Sequence, residues 1–186
     1  MPDDLVPDDG PADLAPEPPA DVVAAAVVEQ FPSAVFHDSH GQSVVFVARD
    51  DWHAVAAFLR DEQQFTQCMD VAGVDHLVDV DRVVPVGVRA ERFEVVANFL
   101  SHPHNRRFRT VCEVPDGDAR VDSLTDLYPG VAFPERDTFD LFGVEFTGHP
   151  DLTRILMPDD WVGHPLRKDD APARVPVTFK EDPAPR

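Results

Sequence analysis

The sequence predicts an α+β two-layer domain, a mixed β-sheet with helices packed on one face, followed by a long extended C-terminal docking arm. Three observations carry that prediction. Residues 21–114 read in the order α-β-β-α-β-β-β, which suits one mixed sheet covered by helices. Prolines crowd the two ends, with six in residues 1–19, four in 20–128 and nine in 129–186, so the middle is the folded part. Beyond residue 144 large apolar side chains recur with neither period 2 nor period 3.6. The predicted organisation is a disordered acidic tail (1–20), an α+β core (21–143) and an extended arm (144–186).

The tail has only Leu5, Val6 and Leu14 to bury among its prolines and acids, too little to offset the entropy of ordering it. Asp21 is placed to cap a helix over 22–31 that stops at Pro32. Short β-branched or aromatic runs at 34–36 and 43–48 flank a turn that Gly41 suits. Asp50 or Asp51 is then expected to cap a second helix over 52–62, in which Trp52, Val55, Ala56, Phe58 and Leu59 share one face. Strands are expected at 65–71, at 92–101, where Phe93, Val95, Ala97 and Phe99 alternate, and at 108–114. Segments 123–128 and 134–142 allow short helices. In the second, Pro134 stands near N1, acids occupy the first turn and Gly143 falls where a C′ residue belongs. In the arm, Phe146, Leu152, Ile155, Trp161 and Leu166 are interleaved with Pro150, Pro158 and Pro165. An extended chain with such anchors must lay them on its own domain or on another protein.

At 186 residues the chain is long enough for a core without disulfides or metal. Its net charge of −19 disfavours non-specific binding to nucleic acid or anionic lipid. Cys68 and Cys112 form no C-x-x-C, so no cysteine-held iron–sulfur or zinc site is encoded, and a reducing cytosol is the compartment that fits. The longest apolar run, 22–28, is far short of the ~18 residues of a membrane span, and the acidic start does not read as a secretory signal.

Candidate chemistry is sparse. Asp137 and Asp140 stand one turn apart without a neighbouring nucleophile or metal motif, and Arg136 is placed to pair with Asp140 at i+4. His102 and His104 flank Pro103, which favours a loop over a metal site. His149 and His164 each lie in Gly-His-Pro, a turn whose imidazole bonds backbone. No phosphate-binding or nucleophile-elbow motif occurs. Arg106, Arg107 and Arg109 form a basic cluster that either neutralises carboxylates within the fold or meets an acidic partner. Arg154 and the knot Arg167, Lys168, Asp169 and Asp170 are read as interface groups. A stand-alone hydrolase using Asp140 with His149 or His164 is the reading from another class.

Three stretches carry a family likeness: RFEVVANFLSHPHN at 92–105, SLTDLYPG at 123–130 and, above all, ERDTFDLFGVEFTGHPDLTRILMPDDWVGHPLRKD at 135–169. They resemble the C-type subunit of the proton-pumping NADH-quinone oxidoreductase, respiratory complex I, the 30 kDa-type subunit family. The resemblance implies a peripheral-arm subunit without catalytic residues, metal or cofactor of its own. FMN, the Fe-S clusters, NADH and quinone would be held by partner subunits, chiefly the D and B types of the quinone module and terminal cluster. It implies a peripheral position on the cytoplasmic side of the cell membrane. The family pattern maps onto Glu135, Arg136, Asp140, Phe142, Gly143, His149, Pro150, Arg154, Trp161, Gly163, His164, Pro165, Arg167, Lys168 and Asp169. Phe133, Pro134, Asp137 and Asp170 depart from it. The equivalent subunit of a membrane-bound hydrogenase-type or deazaflavin-dependent dehydrogenase complex shares the motif and is the alternative.

Overall fold

The computed structural model describes Pro19, residues 21–79 and residues 81–170. The predicted tail, apart from Pro19, and the last part of the predicted arm lie outside the described residues. Helix α1 (Val22–Gln30) begins as its sequence requires, with the Asp21 carboxylate accepting from the backbone N–H groups of Val23 at 2.7 Å and Ala24 at 3.3 Å. Strands β1 (Val35–Ser39) and β2 (Gln42–Phe46) pair antiparallel around His40 and Gly41. Both residues have positive φ, 55° and 79°, the conformation a two-residue hairpin loop demands and Gly41 adopts without strain.

Helix α2 (Trp52–Asp61) starts differently from the expectation. Neither Asp50 nor Asp51 caps it; a 3₁₀ turn over Arg49–Asp51 leads in, Asp51 is already helical, and its carboxylate accepts from Ser33 Oγ. Its buried face is Trp52, Val55, Ala56 and Leu59, as the periodicity predicts.

Strands β3 (Gln67–Asp75), β4 (Phe93–Ser101) and β5 (Arg106–Val114) complete a sheet of order β1-β2-β5-β4-β3, parallel only between β2 and β5. On β4, alternate residues Phe93, Val95, Ala97 and Phe99 are buried and join Val27, Trp52 and Leu59 in one core. Helix α3 (Ala132–Phe142) packs on this same face, against β3. Gly73 allows the approach, since a Cβ there would lie 2.8 Å from Thr138 Cγ2 and 2.9 Å from Phe142 Cδ2. The helices therefore cover one face of a mixed sheet. On the other face the β3–β4 connection crosses back, with the Arg82 guanidinium at 2.6 Å from both Glu94 of β4 and Glu113 of β5.

Three local expectations are corrected. Residues 123–128 form no helix: Leu127 and Tyr128 both donate to the Leu124 carbonyl in one turn, because so short a segment cannot offset helix nucleation. α3 starts at Ala132 rather than Pro134, through a 3₁₀ turn over Pro129–Val131; proline is tolerated inside the first turn because its N–H would have no helical acceptor. The stretch after 144 is not devoid of strand, since β7 (Glu145–Thr147) pairs parallel with β6 (Arg120–Asp122). Three residues are too few to show a period. Among the described residues no helix is long and apolar enough to cross a membrane.

Candidate functional site

α3 ends at Gly143, whose φ of 73° is the left-handed C-terminal geometry the sequence predicts. Past β7 the backbone is irregular and folds back along this helix. Asp140 fixes it. The residue is fully buried, and its Oδ2 accepts from three successive backbone N–H groups, Ile155, Leu156 and Met157, at 3.0, 2.8 and 2.8 Å. Its Oδ1 takes Arg154 Nη1 at 2.5 Å, and Arg154 Nη2 donates to the Gly163 carbonyl at 3.0 Å. Burial works to raise the Asp140 carboxyl, but the backbone donors together with Arg154 outweigh it and hold the group at about 2. The expected Arg136–Asp140 pair is absent. Arg136 donates instead to the carbonyls of Thr153 and Arg154 at 2.9 and 3.1 Å, so two arginines satisfy the strand-free segment from either side.

The same segment is tied to the C-terminal end of α3. Arg167 Nε donates to the Phe142 carbonyl at 2.6 Å, Leu166 N–H to Leu141 at 3.1 Å, and the His164 ring Nδ1 bonds the Asp140 carbonyl at 3.0 Å. The Arg167 guanidinium, the Leu166 N–H and the His164 ring thus meet carbonyls that a helix leaves unpaired. Gly143 is needed here for space as well as for its φ: a Cβ would lie 2.5 Å from His164 Nε2 and 2.6 Å from Arg167 Nη2.

A second knot joins the segment to the sheet. Asp75, at the end of β3, has a fully buried side chain that accepts from Arg92 Nε at 3.1 Å, Arg92 Nη2 at 3.0 Å and the Lys168 backbone N–H at 2.8 Å. Arg92 Nη2 also reaches Asp169 at 2.5 Å. Burial pushes the Asp75 carboxyl up, yet the bidentate Arg92 contact and the backbone donors pull it below its ordinary value. Arg92 in turn is raised, first by Asp75 and then by Asp169. The guanidinium carbons of Arg92 and Arg167 lie 4.7 and 5.1 Å from the Phe93 ring centroid, which adds cation–π attraction.

Glu135, in the first turn of α3, is a third buried carboxylate, accepting from Leu124 N–H at 2.7 Å and Ser123 Oγ at 2.6 Å. Burial raises it to about 7 despite those donors. A carboxyl that titrates at 4.5 when unfolded and near 7 when folded makes the protein lose stability as pH rises through that interval. Glu135→Gln is expected to remove this dependence. The stability difference between wild type and variant, read from urea melts, should shift on the order of 2 kcal/mol in the variant's favour between pH 5 and pH 8. A difference that is flat across the interval would overturn the assignment.

Of the residues singled out by sequence, Arg136, Asp140, Gly143, Arg154, His164, Arg167, Lys168 and Asp169 therefore meet in one set of contacts between α3, the sheet and residues 151–170, while Glu135 is held separately by Ser123 and Leu124. His149 stands apart at the other end of α3, its Nε2 bonding the Ala132 carbonyl at 3.0 Å and its Nδ1 accepting from Asp151 N–H, with Pro150 exposed beside it. Both Gly-His-Pro segments are the predicted turns, with Gly148 and Gly163 at φ of 85° and 92°. Trp161 and Pro165 are half-buried. Arg154 and Arg167, read from sequence as partner-facing, make the intramolecular bonds just described, because buried carbonyls and a buried carboxylate lie within their reach. Sequence reading missed Asp75 and Arg92. The available signal was period 2: Val71, Gly73 and Asp75 share the core face of β3, and a carboxylate there requires a cation.

Fold and contacts together define an α+β domain whose polar side chains hold one part of the chain to another. Residues 45–175 match the family described as respiratory-chain NADH dehydrogenase, 30 Kd subunit, and the chain belongs to that family. It is 40% identical over 168 residues to the C-type subunit of NADH-quinone oxidoreductase from Nocardioides sp., covering 87% of this chain and 63% of that protein. With the corresponding protein of Herpetosiphon aurantiacus it shares 42% identity over 145 residues, 77% of this chain and 79% of the relative. The solved trypsin-resistant fragment (1-134) of Nqo5 superposes with a TM-score of 0.60 at 31% identity, over 70% of this chain and 99% of that one. A chain of the membrane-bound sulfane sulfur reductase, an archaeal respiratory membrane complex, shares the fold at 22% identity, with a TM-score of 0.64 over 86% and 94% of the two chains.

Proposed function

We propose that this chain is a peripheral subunit of an NADH-quinone oxidoreductase that contributes surface and assembly rather than chemistry. Electrons would pass from NADH through FMN and Fe-S clusters held by other subunits to quinone, coupled to proton translocation. The chain would sit on the cytoplasmic side of the membrane against the D- and B-type subunits. The carrying observation is the pinned segment after β7. It lacks helix and strand over residues 149–170, yet buried ion pairs hold its backbone while Leu156, Val162 and Leu166 are exposed at 59%, 91% and 47%. Ordered backbone presenting exposed apolar side chains is the form of a docking surface, because the ordering cost is met before a partner arrives.

A role without a redox group on this chain is supported by where its soft ligands go. Burial pushes the Cys68 and Cys112 thiols up to about 12, away from the thiolate that would bind metal. The ring nitrogens of His149, and Nδ1 of His164, are engaged by backbone groups.

The test is to tag the chain in its native host and purify from a mild-detergent membrane extract, assaying co-purifying proteins and inhibitor-sensitive NADH oxidation with a soluble quinone. Cluster-bearing D- and B-type partners with that activity are expected. A nickel-ligating large subunit in their place would replace the reading with the hydrogenase-type alternative, and recovery of the chain alone would overturn it. The double substitution Val162→Glu, Leu166→Glu should cut partner recovery at least several-fold with little change in the isolated chain's melting; normal recovery would remove this segment from the interface.

A further inference from the structure

Glu94 and Glu113 stand directly opposite each other on β4 and β5, a placement in which like charges repel. One arginine, Arg82, serves both. Glu94 has a second cationic group in reach, His76 Nε2 at 3.1 Å, and His76 also faces Asp79 at 3.7 Å. Glu113 has no second one among the described residues. Its Oε2 accepts from Arg82 Nη2 and, at 2.8 Å, from the Glu91 backbone N–H, while its Oε1 is buried and meets no donor among the described residues. The side chain is only 9% exposed, and an acceptor left unmet at that depth is costly. A pocket of about 350 Å³ lies against this residue, between the β3–β4 connection, the end of β2 and the 3₁₀ turn that follows it. Phe46, Val47, Val88 and Pro115 give it apolar walls, and Glu113 lines it. Two arginines line it as well, but each is engaged, Arg49 with Asp118 at 2.8 Å and Arg89 with Glu91 at 3.0 Å.

We propose that this pocket receives a primary ammonium on an unbranched aliphatic stem, the ammonium donating to Glu113 Oε1 while the stem lies along the apolar walls. Charge selects a cation. Around Glu113 stand Arg82, Arg89 and Glu91 from the connection, Glu94 from β4, and Arg49 and Asp50 from the 3₁₀ turn, so the positive and negative groups cancel and the Glu113 charge is left over. Geometry selects an ammonium over a guanidinium, because Oε2 is already taken by two donors and a planar fork needs both oxygens. Burial raises the Glu113 carboxyl above its ordinary value against the pull of the Glu91 N–H and Arg82, so the group holds a proton more readily than one in water. An arriving ammonium displaces that proton, and binding therefore tightens as pH rises. Two sources have this chemistry, a free alkylamine and the lysine side chain of a neighbouring subunit. The second rests on the subunit reading above, and the site itself does not.

The test titrates the full chain with n-butylammonium chloride in the millimolar range, with n-butanol as the uncharged control, and follows backbone amide shifts by NMR. Shifts are expected to concentrate at 46–50, 87–91 and 113, to exceed those from the alcohol at least several-fold, and to grow with pH. Glu113→Gln should cut them at least several-fold. Ala48→Phe, at an exposed residue that lines the pocket, should do the same by filling it without touching the carboxylates. An equal response to the alcohol, shifts scattered over the acidic surface, or a response that survives both substitutions would overturn the proposal. The source is read in the complex purified in mild detergent, with Ala48→Cys carrying a short thiol-to-amine cross-linker; Cys68 and Cys112 are buried, so the linker is directed to position 48. Capture of a neighbouring subunit's lysine assigns the side chain, and no capture alongside an intact response to n-butylammonium assigns a free amine. A complex that does not form counts against the subunit reading alone, whereas a full chain that ignores n-butylammonium counts against the site.

Discussion

Asp140→Ala is expected to release residues 150–170 from α3 and to lower the stability of the chain by about 3 kcal/mol, the usual consequence of removing one member of a buried ion pair. Four donors lose their acceptor at once: the N–H groups of Ile155, Leu156 and Met157 and the guanidinium of Arg154. Arg154 is then left partly buried, with carbonyl partners only. Limited proteolysis should cut the variant within 150–170 before the sheet domain. Acid should do the same to the wild type. A carboxyl at about 2 in the fold and 3.8 when unfolded contributes fully above about pH 4 and loses that contribution as pH falls towards 2. A variant that melts like the wild type and resists cleavage there would refute the clamp.

Arg92→Ala should be comparably damaging, about 3 kcal/mol, for a reason that can be separated from the first. Arg92 is only 10% exposed and Asp75 wholly buried, so the substitution leaves a carboxylate in the interior with only the backbone donors of Leu77 and Lys168. Burial, no longer outweighed, should then bring the Asp75 carboxyl from below its ordinary value to above it, measurable by carboxyl-carbon NMR titration. Arg92→Lys should recover part of the stability, since an ammonium supplies charge without the planar fork that meets both Asp75 oxygens. If Asp75 still titrates below its ordinary value in Arg92→Ala, the arginine is not what holds it there.

Helix α1 was readable because Asp21, the apolar run and Pro32 are local signals that agree. The hairpin at His40–Gly41 and the Gly143 terminus were readable because a positive φ leaves a glycine in the sequence. The alternation on β4 marked a strand with one buried face. The start of α2 was misread because Asp51 is recruited by Ser33, eighteen residues away, and nothing in the local pattern announces that bond. The β6–β7 pair escaped because three-residue strands carry no period, and their pairing is set by the intervening α3.

The candidate site divides in the same way. The 135–169 pattern marked which residues matter, since charged and glycine positions at fixed spacing carry both the chemistry of the donors and the geometry of the backbone. It did not say what they hold. An i+4 rule paired Arg136 with Asp140, whereas the fold brings Arg154 to Asp140 and turns Arg136 onto carbonyls of the returning chain. Sequence by itself determined the longer helices and strands, the buried face of the sheet, the family and most positions of the 135–169 pattern, because these depend on propensity, periodicity and local backbone geometry. Only the tertiary structure decided that Asp75, Arg92, Asp140 and Arg167 form clamps, because a buried carboxylate takes whichever donors the topology carries to it, and that distance is written nowhere in the order of residues.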